Sequence, residues 1–328
     1  MSCRQTLSLG LLPTIAAKCC FGLGADTILG FMAKFSWASY SIRRLGDPAQ
    51  TRLDVSRIDL RPMLENINLK KRLSREEYKR IVPGLQLRLY DLEKACWDNG
   101  VPTLIVFEGW DASGKGTTIA ALTQRLDPRG FKLYPITAPR TYEQQRPWLW
   151  RFWLKVPNRG EMVIFDHSWY ARVLEERVEG TIPEKLWRQA FRDILEFERM
   201  LADDGTVILK FFLHISKKEQ SRRFALIQKD PLEAWRVTKA DWARHKKYGQ
   251  YLAATEEMLE LTESEYAPWT IVEATSKSHT RKKVFETLIR ALEKNLGPKA
   301  PPPAEAPAEF SKDAELRAAM ESLSAGGH

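Results

Sequence analysis

The residues best suited to chemistry stand together as Gly109-Trp110-Asp111-Ala112-Ser113-Gly114-Lys115-Gly116-Thr117-Thr118. A glycine-rich turn that opens a helix aims several backbone N–H groups at one point, where the helix dipole also favours negative charge. Gly109, Ala112, Ser113, Gly114 and Gly116 are therefore candidates to cradle a phosphate. Lys115 adds a mobile cation for phosphate oxygens, and Thr117 a hydroxyl for Mg²⁺. The spacing departs from G-x-x-x-x-G-K-[ST], because Gly116 separates the lysine from the threonine. Asp111 inside such a loop would repel phosphate unless it holds a metal ion or receives a proton from an acceptor phosphate.

A second group is Met162-Val163-Ile164-Phe165-Asp166, an apolar run ending in a carboxylate. Alone, such an aspartate reads as a turn or cap residue; beside a phosphate loop it becomes a candidate to hold Mg²⁺. A third is charge placement. From Lys217 to Lys247 there are ten Lys and Arg against four Asp and Glu, so +6 of the net +9 falls in one short stretch. Arg222 and Arg223 lie just past an apolar run and are suited to reach transferring phosphates. Trp235, Trp242 and Tyr248 in the same region either pack the helices there or stack a base, and packing is the simpler reading. With five histidines and no H-E-x-x-H or Cys/His spacing, no zinc site is recognisable, nor can a Ser/His/Asp pattern be argued.

Elements must position these groups. Apolar runs at Thr103–Phe107, Phe131–Ile136, Met162–Phe165, Val207–Ile215 and Thr270–Glu273 alternate with helical periodicity, which predicts a parallel sheet covered on both faces. One helix is expected from Thr117 to Leu126, and another from Pro183 to Ala202 with Leu186, Ala190, Ile194, Phe197 and Leu201 on its inner face. Ser74 and Glu77 form a capping-box pattern for a helix interrupted at Pro83 and stopped at Asn99-Gly100. The connection from Ile215 to Thr270 is too long for a simple crossover and predicts an inserted helical lid, about 217–262.

The chain ends are different. Residues 1–60 read as a loosely structured extension: the apolar stretch Thr6 to Ala17 is broken by Pro13 and closed by Lys18, unlike a signal peptide, and Ile28 to Ala33 is too short to span a bilayer. Residues 298–328 carry a Pro/Ala run expected to be a flexible tail. Four cysteines, at 3, 19, 20 and 96, form no disulfide framework and fit a cytoplasmic protein. Composition, 44% hydrophobic and 28% charged, excludes collagenous, wholly disordered and coiled-coil chains.

The segments FEGWDASGKGTT (107–118), IFDHSWYARVLEERVEG (164–180), KKEQSRRF (217–224), PLEAWRVTKADWARHKKY (231–248) and APWTIVEA (267–274) resemble the polyphosphate kinase 2 family. The lid segment is most similar to its polyphosphate:AMP phosphotransferase subgroup. The resemblance covers roughly Leu64 to Leu292. It implies a three-layer α/β phosphate-loop kinase fold with a five-stranded parallel sheet, occupying 61–297. It also implies Asp111 and Asp166 as ligands of Mg²⁺ (Mn²⁺ as a substitute) and Lys115 as the loop lysine. Arg172, Arg222 and Arg223 would line the polyphosphate path or close over it. His167 stands where the family most often has arginine. The activity implied is phosphoryl transfer from inorganic polyphosphate to a nucleotide, AMP first, in a homo-oligomer with no nucleic-acid or membrane partner. A nucleoside diphosphate acceptor, an ATP-dependent nucleoside monophosphate kinase and a single-stranded nucleic-acid-binding protein exploiting the +9 charge remain as alternatives.

Overall fold

Short Val/Ile/Phe-rich runs with no polar alternation can satisfy their backbone and bury both faces only inside a covered parallel sheet. A computed structural model of the 328-residue chain shows this arrangement and describes residues 64–302. Its elements follow in the order α1 (Arg75–Asn99), β1 (Thr103–Gly109), α2 (Lys115–Thr123), β2 (Phe131–Pro135), α3 (Thr141–Gln144), α4 (Trp150–Trp153), β3 (Met162–Asp166), α5 (Glu175–Val178), α6 (Glu184–Asp203), β4 (Val207–His214), α7 (Lys217–Lys229), α8 (Lys239–Lys246), α9 (Tyr248–Leu261), β5 (Trp269–Glu273) and α10 (Lys277–Leu296). The fold is the expected α/β phosphate-loop kinase architecture. The extension and most of the expected tail lie outside the described residues. Among the described residues no helix is long and apolar enough to cross a membrane.

The five strands are all parallel in the order β2-β3-β1-β4-β5. The central strand β1 therefore has β3 on one side and β4 on the other, and the chain reverses its direction of winding there. Such a switch point leaves a crevice at the carboxyl ends of the strands. Pairing of Phe107 with Asp166 and of Gly109 with Leu213 brings the ends of β1, β3 and β4 to one edge. Both candidate carboxylates and the glycine-rich loop emerge at that edge.

Two expected details change. Helix α1 runs unbroken through Pro83, from a Ser74 cap that accepts the Glu77 N–H to Gly100 at φ 66°. Burial of Val82, Leu89, Leu92 and Cys96 outweighs the roughly 3 kcal/mol that an interior proline costs a helix. On α6 the inner face includes Trp187 and Phe191, whereas Leu186 is 41% exposed. Trp187 takes the inner place with the Arg177 guanidinium over its ring at 4.0 Å.

One polar group lies deep in the sheet. Lys210 of β4 is fully buried and donates to Glu198 Oε2 at 2.8 Å, Tyr170 Oη at 3.0 Å and the Thr262 carbonyl at 2.8 Å. Trp169 and Tyr170 both donate to Glu198 Oε1. The ammonium and carboxylate thus retain full sets of partners, the condition under which a buried pair is tolerated.

Candidate active site

β1 ends at Gly109, where φ is 138° and an added Cβ would stand 2.4 Å from the Leu213 carbonyl oxygen. Only glycine permits that approach of β1 to β4. The loop then takes left-handed conformations at Ala112 (φ 58°) and Gly114 (φ 103°), and Gly114 caps α2. Helix α2 begins at Lys115, two residues before the expected start, so the first N–H groups after Gly114 have no intrahelical acceptor. Lys115 is 8% exposed, and its ammonium turns back over the loop to donate to the Gly109 and Trp110 carbonyls. Thr117 Oγ1 donates to the Gly114 carbonyl.

A cleft of about 460 Å³ opens along this loop. Ala112, Ser113, Gly114, Lys115, Gly116 and Thr117 form one wall, with Asp111, Asp166, His167, Arg222 and Arg223 around them. Gly109 lies behind it, beside a second, narrow pocket of about 40 Å³ lined by Glu108, Trp110, Glu175, Arg244 and Tyr248 among others. Asp111 lines both. Arg172 does not line the cleft; it pairs with Glu176 at 2.7 Å and lies over the Trp148 ring. Arg223 reaches the loop in an unexpected way. Its guanidinium donates to the carbonyls of Ala112, Ser113, Ala274 and Thr275 and to Glu219, so it brackets the loop against the segment after β5. Arg222 is more exposed and pairs with the same Glu219.

Two buried oxygens along the cleft have no hydrogen-bond partner in the protein, Asp166 Oδ1 and Ser113 Oγ. Buried polar atoms are normally satisfied, so each invites a ligand group. Two carboxylates and a threonine hydroxyl on the cleft wall are hard oxygen donors of the kind Mg²⁺ takes alongside substrate phosphates and water. Among the described residues no cluster of three or more His, Cys, Asp or Glu is placed to hold a metal ion.

His167 has φ 62° and its Nδ1 lies 3.3 Å from Glu108 Oε2 and 3.8 Å from Glu175 Oε1. Lys115 and burial push its pKa down, but the hydrogen bond and charge of Glu108, with Glu175, outweigh them and the net direction is upward. Glu108 is 1% exposed and also accepts the Ser168 hydroxyl at 2.7 Å. It ties the turn after β3 to the strand that carries the loop. Trp110 donates its indole N–H to His214 Nδ1, and burial lowers that imidazole to about 4, so it stays neutral.

Helices α7 and α8 reach the phosphate loop from the segment expected to be a lid. Arg244 Nε donates to Asp111 Oδ2 at 2.8 Å, and Gln220 donates to the Asp111 carbonyl. Of the three lid aromatics, Trp242 packs edge-on against Phe224 and Tyr248 stacks on Trp110 with ring centroids 4.1 Å apart; Trp235 is 78% exposed. Helix α9 buries Ala254 and Met258 in the main core, and its Tyr248, Tyr251 and Thr255 line the narrow pocket. Glu108 and Arg244 escaped sequence reasoning. Glu108 reads as the tail of a strand, and Arg244 as one cation in a basic run.

A family model described as polyphosphate kinase 2 matches residues 72–299. The chain belongs to the polyphosphate kinase 2 family. This polyphosphate kinase 2 chain is 41% identical over 234 residues to the polyphosphate:AMP phosphotransferase of Pseudomonas syringae pv. tomato, a match covering 71% of this chain and 47% of that protein. It is 37% identical over 229 residues to the ADP-polyphosphate phosphotransferase of Pseudomonas aeruginosa, covering 70% and 75%. The chain spans about half the length of the polyphosphate:AMP phosphotransferases it matches. The crystal structure of polyphosphate kinase 2 from Arthrobacter aurescens TC1 superposes with a TM-score of 0.69 at 28% identity, covering 79% of this chain and 92% of that one.

Proposed function

We propose that this protein transfers a phosphoryl group from inorganic polyphosphate to a nucleoside monophosphate, converting AMP to ADP. The observation that carries the reading is the cleft itself. It joins the phosphate loop, three carboxylates (Asp111, Asp166 and Glu233) and several cations, yet no Phe, Tyr or Trp lines it. A donor made only of phosphates needs such a channel; a nucleotide donor would gain from a stacking surface. The names of the relatives point the same way.

Nothing covalent is required of the protein. Lys115 and the first N–H groups of α2 would hold the terminal phosphates and stabilise charge as it develops. Asp111 and Asp166 would hold Mg²⁺, which when bound neutralises phosphate charge. Arg244 and Gln220 bring the lid onto Asp111, where cleft and narrow pocket meet, so lid closure would exclude water from the transfer and align the acceptor. The test is ADP formation by purified protein with Mg²⁺ and AMP, given polyphosphate or ATP as sole donor. ADP from polyphosphate supports the reading; a requirement for ATP overturns it. ATP formed from ADP and polyphosphate would assign the acceptor to nucleoside diphosphates instead.

A further inference from the structure

β3 ends at Asp166, whose Oδ1 is buried without a hydrogen-bond partner in the protein. With no bond of its own, that oxygen points where the backbone aims it. His167 follows in the left-handed region at φ 62°, and Ser168 returns to an extended conformation. A residue other than glycine keeps such a conformation only where its surroundings hold it there. Here they hold it from two sides. On β1, the buried Glu108 accepts the Ser168 hydroxyl at 2.7 Å. On α6, the buried Glu198 accepts on one oxygen both the Trp169 indole N–H at 3.1 Å and the Tyr170 hydroxyl at 2.6 Å. Lys210 donates to the other Glu198 oxygen, to Tyr170 Oη and to the Thr262 carbonyl at the end of α9. Ser168, Trp169, Tyr170, Glu198 and Lys210 line neither the cleft nor the narrow pocket. They reach the site only through the turn.

Stability does not call for this arrangement. Replacing a buried ion pair by apolar residues of similar volume generally costs no stability, and Trp169 already packs among Phe152, Phe165 and Phe197. Two buried carboxylates add direction, because each accepts from a donor at a fixed place. We propose that Glu108 and Glu198 are positioning residues that hold the turn 167–170 and so set the aim of Asp166 into the cleft. Glu108 acts through Ser168, and Glu198 through Trp169 and Tyr170. Lys210 orients Glu198 and ties the same turn to the end of α9. Their part in turnover rests on the proposed reading of Asp166 as a ligand of Mg²⁺.

The experiment compares Ser168→Ala, Tyr170→Phe and the double variant, in the full chain, with wild type and with Leu292→Ala, which opens the core near the far end of α10. Tyr170→Phe leaves Glu198 paired with Lys210 and Trp169, and Ser168→Ala leaves Glu108 beside His167, so neither strands a buried charge. Four quantities are read: the thermal midpoint, hydrogen–deuterium exchange of the peptide 164–174 without metal or substrate, the Mg²⁺ concentration that half-saturates ADP formation, and KM for AMP. The double variant should speed exchange of the turn amides and raise the half-saturating Mg²⁺ concentration about tenfold, since two hydrogen bonds of ordinary net strength are lost. Each single variant should show a smaller rise, and KM for AMP should hardly move. Leu292→Ala should lower the midpoint with an unchanged Mg²⁺ response. A double variant with wild-type turn exchange, or with a lowered midpoint and a wild-type Mg²⁺ response, would overturn the positioning role, as would an equal Mg²⁺ shift in Leu292→Ala. If wild type formed no ADP from polyphosphate, the donor reading would fall, while exchange of the turn would still decide whether the two carboxylates hold it.

Discussion

Glu93 allows a prediction whose size follows directly from its surroundings. It lies on α1, 3% exposed, with Oε2 accepting the Asp127 N–H at 2.8 Å and Oε1 buried without a partner. Burial raises its pKa from 4.5 to about 7; the Asp127 N–H opposes the rise, and the charge of Asp127 adds to it. The gap of about 2.5 between folded and unfolded values corresponds to about 3 kcal/mol. Because the folded value is the higher one, the folded chain holds the proton longer. Below pH 4.5 both states are protonated and nothing is lost. As pH rises toward 7 the unfolded chain ionises first, stability falls, and above 7 the full deficit is present. Glu93→Gln keeps an acceptor for the Asp127 N–H and carries no charge. Urea denaturation of both proteins from pH 4.5 to 8 isolates the difference, since other titrating groups cancel. The variant should gain on wild type by up to about 3 kcal/mol across that interval. Parallel curves would refute the assignment of a neutral, buried Glu93.

Three further outcomes are expected. Lys115→Ala should lower kcat/KM by about 10²–10³ with unchanged thermal stability; near-normal turnover would remove the loop from the mechanism. Gly109→Ala forces a Cβ against the Leu213 backbone at a positive φ and should cost about 2–4 kcal/mol in urea unfolding together with most activity; a stable, active variant would show that β1 and β4 can part locally. Lys210→Met leaves the Glu198 carboxylate buried without its cation and should destabilise by about 3–5 kcal/mol at pH 8 and less in acid, where the carboxyl can take a proton; a pH-independent loss would point to packing alone.

Much of the frame was legible in the sequence because its signals are short-ranged. All five strands appear within one or two residues of their expected limits, since apolar runs bounded by glycine and proline can hardly do otherwise. The loop 109–118 and Asp166 were found by type and spacing, and the fold brings both to the same cleft. What escaped depends on contacts distant along the chain. Lys210 interrupts an apolar run and gives no sign of a partner twelve residues earlier, because Glu198 hides on the next helix face. Arg223 carries the same side chain whether it grips phosphate or backbone carbonyls. Arg172 was placed by motif alone, but its neighbour Glu176 and the Trp148 ring hold it away from the cleft wall. Pro83 reads as a break only when the buried face of α1 is left out of account.

The Arg223 bracket has a consequence for the order in which the fold is completed. The carbonyls it joins belong to residues 112 and 113 on one side and to residues 274 and 275, some fifty positions after the arginine, on the other. During synthesis the loop motif and most of the sheet therefore emerge well before the last pieces that hold the loop in shape. A nascent chain that stops after α9 owns every residue of the motif but lacks two of the four carbonyls that the bracket ties together. The loop is thus braced on both sides only once β5 and the start of α10 are in place.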